Sequence, residues 1–211
     1  MACGCQLLGA FSMDPFWLHG FSLFEWITIA LWIAAALWLA AGAKTANEGV
    51  SASDANVLTT ISRIAKVLAM LLMFLVIYVP QWFHLRAPSE NRSTLTGIAG
   101  VALCLAGLLL FISSRRALGR NWSDQVVLKE GHEVVRRGPY RWIRHPLYVG
   151  LILALLGSAV AVGARAGYVV IALCFLGIFF KSKKEEAMLS RQLPGYAEYK
   201  RRVKGFIPYV F

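Results

Sequence analysis

Charge is scarce in this chain, and negative charge most of all. Only 16% of the 211 residues are charged, with Asp and Glu numbering 11 against 22 Lys and Arg. Hydrophobic residues reach 58% and the mean hydropathy is +0.59, which excludes the usual globular mixture. The first 20 residues carry no Lys or Arg, so there is no basic n-region and no cleaved signal peptide is expected. Cys3, Cys5, Cys104 and Cys174 have no metal-ligand spacing, and no metal site is expected. Cys104 and Cys174 lie inside apolar runs and are expected as buried structural thiols. Cys3-Gly4-Cys5 has no apolar run upstream of it, as a processed lipid anchor would need. Internal repeats and low-complexity linkers are also missing, which leaves one integral-membrane domain as the simplest organisation.

What is present is long apolar runs. Phe21–Ala43, Ile61–Val79 and Thr94–Ser113 are near or above the length that crosses a bilayer as helix. Leu147–Gly163 and Gly167–Phe180 are shorter and form a hairpin turned at Gly163-Ala164-Arg165-Ala166-Gly167. The second arm continues as helix into Lys181–Leu193. The expected fold is an all-α integral-membrane protein of about five transmembrane helices. Residues 1–113 would hold three helices, and residues 114–211 a loop, the hairpin and a C-terminal helix, together one integrated domain.

The net charge of +11 raises the question of nucleic acid, but its distribution points to anionic lipid headgroups. Arg115–Arg144 carries eight basic residues and the tail after Phe180 eight more, while only Arg86, Arg92 and Arg165 fall on the opposite side. The positive-inside rule then puts the N-terminus outside and both basic segments in the cytoplasm, as in a bacterial inner membrane. Ala43–Asn56 reads as a plain connector. Trp82 and Phe83 read as interfacial belt residues, His84 as a solvated histidine, and Glu25 as a water-facing or capping carboxylate near the outer end of the first helix. Tyr196–Phe206 places Tyr196, Tyr199, Val203 and Phe206 at three- to four-residue spacing against Lys200, Arg201, Arg202 and Lys204. That is the pattern of an amphipathic interfacial helix.

Two cytoplasmic segments are too elaborate for connectors. Arg136-Arg-Gly-Pro-Tyr140-Arg-Trp-Ile-Arg144-His145-Pro146-Leu147-Tyr148 sets cations and a proline directly before an apolar helix. Pro146 suits a first helical position, and the free amides and positive dipole end of such a helix make an anion site. The second segment, Lys181-Ser-Lys-Lys-Glu185-Glu186, puts Lys181 and Glu185 on one helix face. A zwitterionic cofactor with a sugar and a base would use this combination: a carboxylate for its ammonium, an anion site for its carboxylate, aromatics for its base.

From Leu118 to the end, the chain resembles the isoprenylcysteine carboxyl methyltransferase family and its bacterial relatives. The resemblance is carried by Gly119-x-x-Trp122-Ser123, His132-x-x-Val135, Gly138-Pro-Tyr140, Arg144-His145-Pro146-x-Tyr148-x-Gly150, Glu185-Glu186, Tyr196-x-x-Tyr199 and Ile207-Pro208. It implies S-adenosylmethionine as cofactor, bound at the cytoplasmic edge by the 114–146 loop, the last hairpin and the tail. It further implies cofactor contacts at Gln125, His132, Glu133, Val134, Val135, Tyr140, His145, Pro146, Leu147, Tyr148 and Glu185. The family's arginine four residues before the first glutamate is Lys181 here, a point charge where arginine would offer a planar fork.

The reaction expected is methyl transfer to a lipophilic or prenylated acceptor that arrives from the bilayer, with positioning and water exclusion as the main catalytic contributions. An acceptor carboxylate needs no base, only a cation such as Lys181 or Arg144 to aim it. An amine or thiol acceptor, as in a phospholipid-amine methyltransferase, would need a base, for which Glu186 is the candidate. Two rivals stand beside this reading. One is a sterol-type NADPH reductase sharing the Arg-His-Pro-x-Tyr edge, and the other a non-catalytic membrane protein. Against the latter, polar residues gather at one edge and do not line a path across the helices.

Overall fold

A computed structural model describes residues 22–46, 71, 74–75, 78, 93–119 and 133–207. Five α-helices lie within them: α1 (Leu23–Ala46), α2 (Thr94–Leu118), α3 (Pro146–Val162), α4 (Arg165–Gln192) and α5 (Tyr196–Arg202). A 3-10 turn at Gly138–Arg141 precedes α3. Of the run Ile61–Val79, the described residues Leu71, Phe74, Leu75 and Tyr78 are helical. Cys3, Cys5 and the Trp82–His84 group lie outside the described residues. Among the described residues there is no strand, and Ile143 forms an isolated parallel bridge with Lys204.

Both long helices exceed the apolar runs that announce them. α2 continues through Ser113 and Ser114 because each hydroxyl turns back onto the Leu110 carbonyl, at 3.0 and 2.6 Å. The expected junction at 113–114 therefore falls inside α2. α4 carries its helix twelve residues beyond Phe180, to Gln192. The hairpin turns at Gly163, whose φ of 72° closes α3 with its amide on the Ala159 carbonyl at 2.8 Å. α2 and α4 are long and apolar enough to cross a membrane, and the apolar parts of α1 and α3 are shorter. The outward residues of α4, among them Val169, Leu173, Leu176 and Phe180, are apolar and exposed, as are Leu95, Ile98 and Leu109 on α2. Such faces suit lipid.

The core of the molecule is a backbone-to-backbone contact between α2 and α3. A Cβ added to Gly100 would sit 2.4 Å from the Ala161 nitrogen, and one on Gly107 2.3 Å from the Ala154 nitrogen. One on Gly150 would reach within 2.6 Å of the Phe111 nitrogen, and one on Gly157 within 2.2 Å of that of Cys104. Each step along α2 is matched by an equal step back along α3, so the two helices run antiparallel in register. Small residues at this spacing let apolar helices approach where the hydrophobic effect gives no drive between them.

α1 is fastened to this pair by a polar contact inside the apolar bundle. The Trp32 indole donates to the Ser158 hydroxyl at 3.0 Å, and Ser158 donates to the Ala154 carbonyl at 2.9 Å. Cys104 is buried beside Ser158, at 3.5 Å, as expected of a structural thiol. Cys174 is only half-buried, because its helix face is partly open.

Of the two readings of Glu25, the capping one holds and the water-facing one does not. The residue is fully buried, and its carboxylate accepts from the Ser22 amide at 3.3 Å. Ser22-x-x-Glu25 is the sequence of a capping box, and the carboxylate serves the amide that precedes the helix.

The glycine contact generates a paired prediction. Gly157→Ala drives a methyl group into the Cys104 backbone, and overpacking of this kind costs typically about 1–3 kcal/mol. Gly177→Ala meets nothing within 4 Å and removes a poor helix former. Thermal unfolding in detergent should place the first variant well below the parent and the second level with it or above.

Candidate functional site

α3 begins at Pro146, with His145 as its N-cap residue. The strand-like segment before it is held by the tail of the chain. The Arg144 amide donates to the Lys204 carbonyl at 2.8 Å, and the His145 amide to the Gly205 carbonyl at 3.0 Å. Residues 204 and 205 therefore lie alongside the entrance to α3, and side chains from α3, α4 and the tail converge there.

Glu186, on the extension of α4, is the point of convergence. Its side chain is 4% exposed. Arg144 Nε donates to Oε1 at 2.8 Å, and His145 Nε2 lies 2.9 Å from the same oxygen. Lys200 Nζ is 3.0 Å from Oε2. Burial alone would push the Glu186 carboxyl up, but the hydrogen bonds from His145, Arg144 and Lys200 outweigh it and hold the group well below the usual carboxylate range. An ionised carboxylate only accepts, so His145 carries its proton on Nε2 at this contact.

Arg144 does more than neutralise Glu186. Its guanidinium also donates to the carbonyls of Lys200, at 3.0 Å, and Val203. These belong to the last turn and the C-cap of α5, where carbonyls have no partner within the helix. Here the expectation of an interfacial helix over Tyr196–Phe206 is corrected. The helix stops at Arg202, and Tyr196, Tyr199 and Phe206 turn into the protein. Tyr199 donates to the Tyr140 carbonyl at 2.7 Å, and burial pushes its hydroxyl up to about 12. Burial also raises Tyr140 and Tyr196, so all three stay neutral at physiological pH. Phe206 stacks on the His145 ring at a centroid distance of 5.2 Å, with Tyr148 also stacked on that ring at 5.7 Å.

The other glutamate serves a separate group. The Tyr148 hydroxyl donates to Glu185 Oε1 at 2.7 Å, and Lys181 Nζ lies 3.8 Å from the same oxygen. Lys181 also sits over the Tyr148 ring, 5.4 Å from its centroid. Adjacent positions on an α-helix point about 100° apart. Glu185 and Glu186 therefore address different neighbours from one turn of α4.

Of the residues expected to hold a cofactor or substrate, Tyr148, Lys181 and Glu185 form one group, and Arg144, His145 and Glu186 a second. Pro146 is buried and Leu147 half-buried at the start of α3. Tyr140 is buried in the 3-10 turn. Glu133, exposed, and Val134 and Val135, half-buried, lie in the extended segment before that turn. Gln125 and His132 lie outside the described residues. Sequence reasoning missed Lys200 and Phe206 as partners of Glu186 and His145. Their three- to four-residue spacing was the available signal, and it fits a protein-facing helix as well as a lipid-facing one.

The Glu186 cluster generates a stability prediction with a definite sign. A carboxyl whose folded value lies below its ordinary value of 4.5 contributes its full stability above that pH and loses it as pH falls below. Thermal midpoints of the parent should therefore hold from neutral to about pH 5 and drop as pH falls from there toward about 2. Glu186→Gln should be destabilised at pH 7 by about 3–5 kcal/mol, because three cationic or donor groups lose their buried partner. Its midpoint should vary less with acid than that of the parent, and an equally steep acid dependence would assign the effect to other carboxyls.

Known proteins are similar to this chain in sequence and in fold. Residues 100–191 match the isoprenylcysteine carboxyl methyltransferase (ICMT) family. The cobalt-zinc-cadmium resistance protein CzcN of Cupriavidus metallidurans is 33% identical over 116 residues, 53% of this chain and 47% of that protein. The protein-S-isoprenylcysteine O-methyltransferase of Rattus norvegicus is 28% identical over 127 residues, 58% of this chain and 45% of that protein. The chain thus spans about half the length of the curated relatives it matches. Its fold is similar to that of a eukaryotic intramembrane Ras methyltransferase, ICMT, with a TM-score of 0.53 and 23% identity over 69% of this chain and 53% of that one. The fold is accordingly all-α and integral to the membrane. The family match takes in the segment that holds α2 from Gly100, the Arg144-His145-Pro146 entrance, α3 and both glutamates.

Proposed function

We propose that this protein is a membrane methyltransferase that uses S-adenosylmethionine to methylate a lipophilic acceptor, the carboxylate of an isoprenylcysteine-like substrate. The observation that carries the reading is the group of Glu185, Tyr148 and Lys181 beside the first turn of α3, inside the segment matched by the family. The donor set fits the cofactor. Glu185 offers a half-buried carboxylate for an ammonium, with both neighbours on Oε1. The first turn of α3, opened by Pro146, offers amides and a positive dipole end for a carboxylate. Gln125, the segment His132–Val135 and Tyr140 would complete the contacts by family resemblance.

When bound, the cofactor supplies an electrophilic methyl group on a sulfonium. The chain's own residues position and desolvate. Lys181, anchored by Glu185 and lying over the Tyr148 ring, presents a cation to aim an acceptor carboxylate. His145 is fixed between Phe206 and Tyr148 and by Glu186, which holds the start of α3 in place. We assign Arg144 and Glu186 to that positioning. Glu186 is an unsuitable base for an amine or thiol, since three partners hold its carboxylate in a weakly basic form. That favours an acceptor already ionised at neutral pH. The match of residues 100–191 to a methyltransferase family disfavours a nicotinamide-dependent reductase or a non-catalytic role.

Glu185→Gln removes the proposed ammonium partner, a charge-assisted bond of roughly 1.5–3 kcal/mol. Calorimetry should find affinity for S-adenosylmethionine lowered roughly ten- to a hundred-fold, and an unchanged affinity would return Glu185 to a surface ion pair. The acceptor is tested by a pH–rate profile with a carboxylate lipid and an amine lipid. A carboxylate acceptor gives a flat profile from roughly pH 6 to 8, with Lys181→Arg retaining or raising activity. A rate climbing with pH on the amine lipid alone would reject carboxyl methylation.

We propose a bacterial inner-membrane location, with the N-terminus outside and this edge in the cytoplasm, from the charge bias of the loops. In intact cells an impermeant thiol reagent should label Cys3 and spare a cysteine introduced by Arg201→Cys. The reverse pattern would overturn the orientation.

A further inference from the structure

Phe206 belongs to the tail beyond α5, yet its side chain is buried among aromatic rings. The backbone sets its place. The Gly205 carbonyl accepts the His145 amide at 3.0 Å, so the next side chain of the tail falls beside the His145 ring. Phe206 and His145 stack at a centroid distance of 5.2 Å with 29° between their planes, and His145 and Tyr148 at 5.7 Å with 21°. Both separations are those of offset stacks. His145 and Tyr148 stand three apart at the start of α3, a spacing that makes side chains neighbours. The column of rings then ends in charge. Lys181 Nζ lies 5.4 Å from the Tyr148 centroid, a cation–π distance, and the Tyr148 hydroxyl donates to Glu185 Oε1 at 2.7 Å.

Phe206 also meets α4. Its ring centroid is 5.8 Å from that of Phe175 and 6.4 Å from that of Phe179. The line of contacts therefore leaves α4 at Phe175 and Phe179, crosses the tail and the entrance to α3, and returns to α4 at Lys181 and Glu185. Because α4 is one continuous helix over this stretch, the circuit is closed. In a close-packed circuit a ring cannot turn without displacing the next one. Tyr148 aims its hydroxyl at Glu185 through two rotatable bonds, and this packing holds both of them.

We propose that Phe206 is a positioning residue for the group of Tyr148, Lys181 and Glu185. Through the His145 ring it fixes the rotamer of Tyr148, and with it the carboxylate and the cation that Tyr148 holds. What the group binds rests on the methyltransferase reading; the ordering of Tyr148 does not. Phe206 acts through two rings and needs no contact with cofactor or acceptor.

The ordering is read without ligand, by fluorine NMR of the whole protein labelled with meta-fluorotyrosine, the Tyr148 signal being the one lost in Tyr148→Phe. In Phe206→Leu, and in Phe206→Met with its flexible side chain, that signal should move toward the position of free fluorotyrosine. In Phe180→Leu, the same loss of a ring on the exposed side of α4, it should stay where the parent has it. Calorimetry should find affinity for S-adenosylmethionine roughly two- to tenfold lower in Phe206→Leu and unchanged in Phe180→Leu. An unmoved Tyr148 signal in both Phe206 variants, an equal displacement in Phe180→Leu, or parental affinity in Phe206→Leu would each overturn the proposal. A parent that binds no S-adenosylmethionine would overturn the methyltransferase reading, and the fluorine signal would still decide the ordering.

Discussion

A buried carboxylate must be matched by its surroundings or give up its charge, and around Glu186 the surroundings have been assembled from three distant parts of the chain. Arg144 and His145 come from the entrance to α3, Glu186 from α4, and Lys200 from α5. Apolar contact joins them too, since Phe206 of the tail packs on His145, Phe175 and Phe179. Their mutual orientation is narrowed further by short polar contacts, which are directional where apolar packing is not. Desolvating one carboxylate costs several kcal/mol unless it is paired, and that cost makes any other arrangement of the tail unfavourable.

The consequence for chemistry lies in the neighbouring residue. Because Glu186 is fully occupied, it fixes the rotation of α4 about its own axis, and Glu185 is thereby aimed at Tyr148. Two consecutive glutamates of one composition have opposite duties, one closed in by cations and the other half-exposed beside a tyrosine and a lysine. The difference is geometric. The second oxygen of Glu185 remains available to a ligand among the described residues, whereas both oxygens of Glu186 have a cation or ring nitrogen within 3.0 Å.

Much of this was legible in the residues themselves. Apolar runs gave α1, α2 and the hairpin of α3 and α4 to within a few residues, because hydropathy and helix length answer to the same bilayer. Pro146 was readable as a first helical residue, and the Lys181–Glu185 pair as neighbours on one face. The tail was not legible in the same way. Tyr196, Tyr199 and Phe206 have the periodicity of a membrane-facing helix, and only the pairing of residues 144–145 with 204–205 turns that face inward. Such pairing joins segments about 60 residues apart and leaves no local pattern. The α2–α3 contact was written plainly in Gly100, Cys104 and Gly107 against Gly150, Ala154 and Gly157, but small residues are conspicuous only once a partner helix is known. Gln125 and His132 fall where no structure is described, and their role stays with the resemblance.

The α2–α3 contact also determines how deep the site lies. At about 1.5 Å per residue, the 17 residues of α3 cover about 25 Å, less than the roughly 30 Å hydrocarbon thickness. The 25 residues of α2 cover about 37 Å and can match it with some tilt. Locked to its partner by interpenetrating backbones, α3 has no immersion depth of its own and inherits that of α2. Bilayer thickness therefore acts on the Arg144-His145-Pro146 entrance through the tilt of a helix that carries none of those residues. A thinner membrane lays α2 over and carries the entrance with it, so hydrophobic mismatch becomes a physical input to the depth at which this edge meets the headgroup layer.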